Sequence, residues 1–358
     1  MIYTMREVAK RAGVSAATVS RVLNKRRDIS AETSRRVLDV VSELQYRKNV
    51  HARRLATGQS NILGLVISEI TNPYFPELIR GFQAAAWDGG FDVLLCNTEY
   101  SAARVELVIK KLIENDVRGV AVMTASVDRS MVGELIDAGI GLVFLDLSPT
   151  GKLVSNVSIN YQRGISQAID HVLGLGHRRA AIVAGPENHR TAVMVRRALE
   201  AGLKERKLDP SPVVHCDWRV EAAGPAVHAV LAAADPPTVI FCGNDLIALG
   251  AMSALEQAGA KVPEEISVIG IDDVFFAFLA RPALTTIRIP REQLGRTAYQ
   301  ALEKLLRRKR RQGAEYQIET ELVVRNSTMR PPERLTNGEP AGPAEDKKEV
   351  LYDSETRS

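Results

Sequence analysis

Apolar residues recur along this chain in two rhythms. Near the amino terminus they fall every three or four positions in short blocks, and from Ile62 onward short continuous apolar runs alternate with amphipathic stretches. Met5, Val8, Ala9 and Ala12 form the first block; Thr4 stands three residues before Glu7, and Gly13 follows at once. A capping Thr–Glu pair and a terminating Gly predict a short helix. Ser15 can cap a second helix on Thr18, Val19, Val22 and Leu23, and Ser30 a third on Val37, Val40, Val41 and Leu44. Two short helices joined by Gly13-Val14-Ser15 read as a helix-turn-helix, and the third closes a small core behind them.

The body reads differently. Extended runs are expected at 62–67, 93–96, 120–123, 142–147, 180–184, 238–241 and 266–271, with helices at 74–86, 103–114 and 129–138 between them. Short apolar strands separated by helices imply parallel sheets covered on both faces. About 270 residues exceed what one such sheet usually needs, so two doubly wound lobes with a cleft are expected. Ligands in such folds sit at the carboxyl ends of strands. Those ends carry Tyr74, Phe75, Asp146, Trp218, Asn244 and Asp272. Aromatic faces beside carboxylate and amide groups suit a small polar ligand.

Composition changes the picture in one respect. The 358 residues hold 47 Lys+Arg against 43 Asp+Glu, yet residues 1–58 alone hold thirteen against five. A basic head on a nearly neutral body points to nucleic acid at one end. The free face of the second helix supports this. Ala16 and Ala17 let a helix approach base edges closely, Arg21 can donate twice to guanine, and Thr18 and Ser20 suit phosphate oxygens. No apolar run approaches a membrane span, and the amino terminus does not read as a secretory signal. Cys96, Cys216 and Cys242 are too scattered for a metal site or a disulfide framework. A cytoplasmic chain with no membrane partner, metal or cofactor is expected. No phosphate-binding loop or nucleophile elbow occurs, and nothing organises catalysis, so an enzyme is not expected.

The run from Arg6 to Asn24 resembles, almost without interruption, the amino-terminal domain of the LacI/GalR family of bacterial transcription regulators. The resemblance implies that Ala16, Ala17 and Arg21 read bases in the major groove, while Thr4, Ser15, Thr18, Ser20 and Asn24 face the backbone. It continues through Asn49, Ala52, Leu55 and Gly58, which implies a hinge helix that inserts Leu55 between base pairs in the minor groove, aided by Arg53 and Arg54. Lys48 stands where the family usually has Pro. In the body, Asn72-Pro73-Tyr74-Phe75, Gly185-Pro186, Asn244-Asp245 and Val268-Ile269-Gly270-Ile271-Asp272-Asp273 carry the likeness. They imply a periplasmic-binding-protein-like effector core that dimerises. The family's effector-gripping Arg falls, by direct counting, on Val195; a one-residue shift brings in Arg196, and Arg190 competes.

The organisation expected is therefore a helix-turn-helix head (1–46), a hinge (47–60), a two-lobed α/β core (61–328) and a polar tail (329–358) whose composition suits disorder. The function expected is a ligand-responsive repressor of a catabolic or transport operon. As a homodimer it would bind a pseudo-palindromic operator. The effector expected is a sugar or similar polyol, with a nucleobase second. A solute-binding protein of the same core fold is the alternative; it requires a signal peptide and lacks a basic head.

Overall fold

The computed structural model describes residues 3–23, 28–46, 60–124, 129–146, 150–208, 210–307 and 312–332. Contacts divide the chain into two compact units, Met1–Ser60 and Asn61–Ser358. Of the expected features, Asn24, the hinge with Asn49, Arg53, Arg54 and Leu55, and the tail from residue 333 lie outside the described residues.

In the first unit α1 (Met5–Ala12) opens on the expected capping box: Thr4 N donates to Glu7 Oε2 at 2.6 Å, and Glu7 N donates back to Thr4 Oγ1 at 3.4 Å. Gly13 ends the helix in the left-handed region at φ 64°, which a side chain would strain. Ser15 Oγ then accepts from Thr18 N at 3.1 Å at the start of α2 (Ala16–Leu23), and Ser30 Oγ accepts from Thr33 N at 3.2 Å at the start of α3 (Ala31–Glu43). Val8, Ala12, Val19, Val22, Val37 and Leu44 close a small core.

The second unit holds two six-stranded sheets. The first takes β1 (Ile62–Ile67), β2 (Asp92–Asn97), β3 (Gly119–Met123), β4 (Gly141–Leu145), β5 (Val154–Asn160) and β11 (Glu315–Glu319), in the order β11-β5-β4-β3-β1-β2. The second takes β6 (Ala180–Ala184), β7 (Pro210–His215), β8 (Val239–Cys242), β9 (Ser267–Asp272), β10 (Thr285–Arg288) and β12 (Glu321–Val323), in the order β12-β10-β9-β8-β6-β7. Every pairing is parallel except β10 with β12. Helices α4 (Phe75–Asp88), α5 (Ala102–Glu114), α6 (Arg129–Asp137) and α12 (Arg291–Arg307) belong with the first sheet. Helices α7 (Tyr161–Leu175), α8 (Arg190–Glu205), α9 (Ala223–Leu231), α10 (Asp245–Gln257) and the short α11 (Phe275–Leu279) belong with the second. β1, β3 and β6 are buried almost throughout, as strands covered on both faces must be.

The chain passes between the lobes three times: after β5, after β10, and between β11 and β12. Two of these passages are tied by one hydroxyl. Thr320 Oγ1 donates to the carbonyl of Asn160 at 2.7 Å and accepts from Gly164 N at 3.0 Å. A Cβ at Gly164 would lie 2.7 Å from Thr320 Oγ1 and 2.3 Å from Ile287 of β10, so only Gly lets these segments approach so closely. Behind the second sheet, His177 is 1% exposed, with Nδ1 bonded to Thr238 Oγ1 and Nε2 to the carbonyl of Met329. Burial pushes its pKa down to about 4, so it is a neutral structural histidine.

Candidate functional site

The head presents the outer face of α2. Ala17 and Arg21 are exposed, Thr18 and Ser20 half-buried, and Ala16 is half-buried with its methyl on the core. Arg21 keeps 60% of its side chain exposed and has one distant ion pair, with Asp28 at 3.6 Å. An exposed pair of that length is weak and can be exchanged for another acceptor.

In the core, a cavity of about 110 Å³ lies where the carboxyl ends of the strands of both sheets converge. Six of the seven side chains expected at an effector site line it: Tyr74, Phe75, Asp146, Trp218, Asn244 and Asp272. Tyr74 and Phe75 meet edge to face, 5.2 Å between centroids, at the start of α4. Asn72 Oδ1 holds Tyr74 N at 2.9 Å and so sets that turn. Asn244 caps α10, accepting from Ile247 N at 2.9 Å, which leaves its amide N–H groups for a ligand. Trp218 stands against the backbone of Gly185, where a Cβ would lie 2.3 Å from its ring.

The two carboxyl groups are unusual. Asp146 is pushed up to about 6, chiefly by burial; the Ile159 N–H at 2.8 Å and nearby Arg190 pull it back, while Glu315 adds to the rise. Asp272 is raised well above the usual range by burial and by the neighbouring charge of Asp245. Asp245 itself is fully buried, accepting from Val274 N at 2.7 Å and from Thr286 Oγ1 at 2.5 Å. It braces β9 and β10 and does not line the cavity. Asp272 and Asp273 have φ of 119° and 58°. Conformations of that kind cost about 1–3 kcal/mol each and persist where their surroundings hold them. Asp273 is held between Arg288 and Arg325, at 2.7 and 2.5 Å.

Arg196 lies outside the cavity, contrary to expectation. From α8 the lining residues are Thr191 and Val195, which share one face, with His189 at the cap. Position 196 is a further ~100° round the helix. Its Nη1 pairs with Glu200 at 2.5 Å, while its Nε is buried without a partner among the described residues. No Lys or Arg stands among the described lining residues, although Arg190 is close enough to influence Asp146.

Sequence reasoning missed several members of the wall: Tyr100, Thr124, Tyr161, His189 and Thr191. Tyr100, His189 and Trp218 form an edge-to-face series, with centroid separations of 6.0 and 5.6 Å. Thr124 is 3% exposed, and among the described residues neither its hydroxyl nor Nδ1 of His189 has a hydrogen-bond partner. Buried polar atoms without partners are costly and mark places where a ligand or water would bond. The available signal was positional, since Thr124, His189 and Tyr100 all follow a strand end.

A helix-turn-helix head and a two-lobed core with an aromatic, carboxylate-bearing cavity define the class: a DNA-binding regulator that responds to a ligand. Comparison with known proteins makes this specific. Residues 4–49 match the profile of bacterial regulatory proteins, lacI family, and residues 169–328 that of a periplasmic binding protein-like domain. Two proteins named HTH-type transcriptional repressor PurR, from Photobacterium profundum and Pasteurella multocida, are each 32% identical over 90% of this chain and 98% of their own. The chain belongs to the LacI family, whose members are transcriptional repressors and not enzymes.

Among solved structures, a lac repressor dimer bound to operator and the anti-inducer ONPF superposes with a TM-score of 0.82 at 26% identity, over 92% of this chain and all of that one. A LacI-family regulator from Enterococcus faecium with bound ribose gives 0.68 at 26%, over 76% of this chain and all of that one. The transcriptional regulator CelR in complex with cellobiose gives 0.68 at 27%, over 91% and 99%. Among the described residues no helix is long and apolar enough to cross a membrane, and no cluster of three metal-ligating side chains occurs.

Proposed function

We propose that this chain is a cytoplasmic, dimeric repressor whose effector is a neutral nucleobase. The observation that carries the reading is the composition of the cavity wall. Tyr74, Phe75 and Trp218 offer faces to a flat ring, while Asp146, Asp272 and Asn244 offer acceptors and an amide to its N–H and carbonyl edge. No Lys or Arg is among the described lining residues, so the wall itself puts no cation in direct contact with a bound phosphate or carboxylate. The names of the relatives from Photobacterium and Pasteurella, both PurR, favour a nucleobase over the sugar first expected. The target genes would then concern nucleobase supply rather than sugar catabolism or transport. A sugar remains the second reading, because the ribose and cellobiose complexes share the fold.

On DNA, two heads would read the halves of a pseudo-palindromic operator. Ala16, Ala17 and Arg21 would meet base edges, with Thr4, Ser15, Thr18, Ser20 and Asn24 on the backbone. The hinge, residues 47–60, would carry Leu55 into the minor groove, with Asn49, Arg53 and Arg54 beside it. For the dimer, α11 supplies a surface: Phe275, Phe276 and Phe278 are 63%, 51% and 61% exposed within one five-residue helix. So concentrated an apolar patch is a contact surface in soluble proteins.

The effector reading is tested by the fluorescence of Trp218. The chain has two tryptophans, and Trp87 is remote from the cavity lining and 77% exposed. In the Trp87→Phe variant, titration with adenine, guanine or uracil should change emission saturably, and ribose or galactose should not. Saturation by a sugar alone would replace the nucleobase reading with the sugar one.

A further inference from the structure

Where the chain returns from the second lobe to the first, it buries an arginine. Arg291 opens α12 and is 3% exposed. Its guanidinium has partners on both sides of the crossing. It donates to the carbonyl of Asp272 through Nη1 and to that of Asp273 through Nη2 at 2.9 Å, both at the end of β9. Nη2 also meets Glu77 Oε2 at 2.9 Å, in the first turn of α4.

Which lobe Arg291 moves with follows from two glycines. A Cβ at Gly81 would lie 2.1 Å from the carbonyl oxygen of Glu292, and one at Gly295 would lie 2.1 Å from that of Leu78. Helices α4 and α12 are therefore in backbone contact and packed too closely to slide independently. Arg291 and Glu77 both belong to the first lobe, and the two bonds to Asp272 and Asp273 are the ones that reach across. The residues they grip are those with φ of 119° and 58°, conformations that need an external hold. Asp272 is the carboxylate wall of the cavity, while Tyr74 and Phe75, just ahead of Glu77, form a wall on the opposite lobe.

We propose that Arg291 is a positioning residue that couples occupancy of the cavity to the angle between the lobes, with Glu77 orienting its guanidinium. The proposal rests on the cavity being the effector site. A ligand spanning Asp272 and the Tyr74–Phe75 wall fixes the gap that Arg291 also spans. Any rotation that opens the lobes must break the carbonyl bonds or pull Asp272 out of place. One guanidinium thus makes the two lobe arrangements differ in ligand affinity, which is what coupling to a distant DNA site requires.

The test measures operator affinity with and without saturating nucleobase, together with nucleobase affinity and Tm. The full chain is compared with Glu77→Gln, Arg291→Lys and the control Glu292→Gln. The control loses ion pairs to Arg80 and Arg296 on the same helix pair without touching Asp272. Arg291→Lys should weaken nucleobase binding about tenfold or more and bring the ratio of the two operator affinities towards one. Glu77→Gln should keep nucleobase affinity within about threefold while reducing that ratio by a similar factor or more. Glu292→Gln should change neither. Lower Tm with an unchanged ratio in both test variants would show a merely structural arginine and overturn the coupling alone. A wild-type chain whose operator affinity no nucleobase or sugar alters would overturn the effector reading and the coupling with it.

Discussion

Gly185→Ala tests the aromatic wall with a single methyl. The added Cβ would stand 2.3, 2.5 and 2.6 Å from three atoms of the six-membered ring of Trp218. Carbon atoms rest at about 3.5–4.0 Å, so the ring must retreat by roughly 1 Å or more. Trp218 is half-buried, and the ring can swing towards solvent. The cost to folding should therefore fall near the low end of the ~1–3 kcal/mol typical of overpacking. Ligand binding should suffer more directly. Stacking of a base on an aromatic face contributes about 1–3 kcal/mol, and a 1 Å gap forfeits a quarter to a half or more of the contact energy. The loss is then about 0.3–1.5 kcal/mol, which corresponds to a Kd weaker by roughly 1.5-fold to about twelvefold. The assay is Trp218 fluorescence in the Trp87→Phe background, with titration calorimetry as the independent measure of Kd. Emission of the free protein should shift to longer wavelength as the ring becomes wetter. Unchanged emission with unchanged Kd would refute the packing of Trp218 on Gly185 and its role as a ligand wall.

The remaining predictions concern other parts of the molecule. His177 is held neutral, with a folded pKa of about 4 against 6.5 unfolded. The unfolded chain therefore takes up a proton first as pH falls, and stability is lost between pH 6.5 and 4, by about 3 kcal/mol in all. Urea denaturation at pH 7 and pH 5 should show a smaller pH penalty in His177→Gln than in wild type, and equal penalties would contradict the assignment. Asp146 titrates in the opposite sense: raised to about 6, it contributes stability at low pH that is lost as pH rises through 6. If its ionised form accepts from the effector, effector affinity should fall below pH 6, and Asp146→Asn should flatten that profile. In the head, Thr4→Ala removes the capping box and should cost about 1 kcal/mol, read as an earlier thermal transition of that unit. Phe276→Lys should raise the concentration at which dimers dissociate in sedimentation equilibrium, and an unchanged dimer would exclude α11 as the contact. Arg21→Ala should relax base preference, whereas Leu55→Ala should reduce DNA bending at preserved half-site selectivity.

What could be read from sequence follows from how strongly each segment's local chemistry agrees with its place in the fold. The caps at Thr4, Ser15 and Ser30 and the stop at Gly13 are local devices, and they stand where the pattern puts them. The buried strands β1, β3 and β6 were legible because both faces are apolar. β5 escaped because Ser155, Asn156 and Ser158 interrupt its apolar residues, β7 because Pro210 and Pro212 read as breakers, and β11 because its Glu residues mark an edge. Their pairing is decided by neighbours distant in sequence, such as β5 with β11. The cavity divides in the same way. Residues in recognisable motifs at strand ends, such as Asp272 and Asn244, could be found, while His189 and Thr124 also follow strand ends but belong to no motif that singles them out, and Thr191 reaches the cavity from the first turn of a helix. Arg196 misled because one residue along a helix turns a side chain by ~100°, which a count along the chain does not register.

The central claim is that a ligand in the core changes the grip of the head on a specific DNA site. The most direct measurement begins by selecting the preferred sequence from randomised duplex DNA with the full chain. Affinity for that site is then titrated by anisotropy at one fixed salt concentration, with and without a saturating nucleobase. The account predicts a pseudo-palindromic site and a change in Kd of about 5- to 150-fold on adding the nucleobase. No sequence preference over random DNA, or a Kd that neither nucleobases nor sugars move, would contradict it.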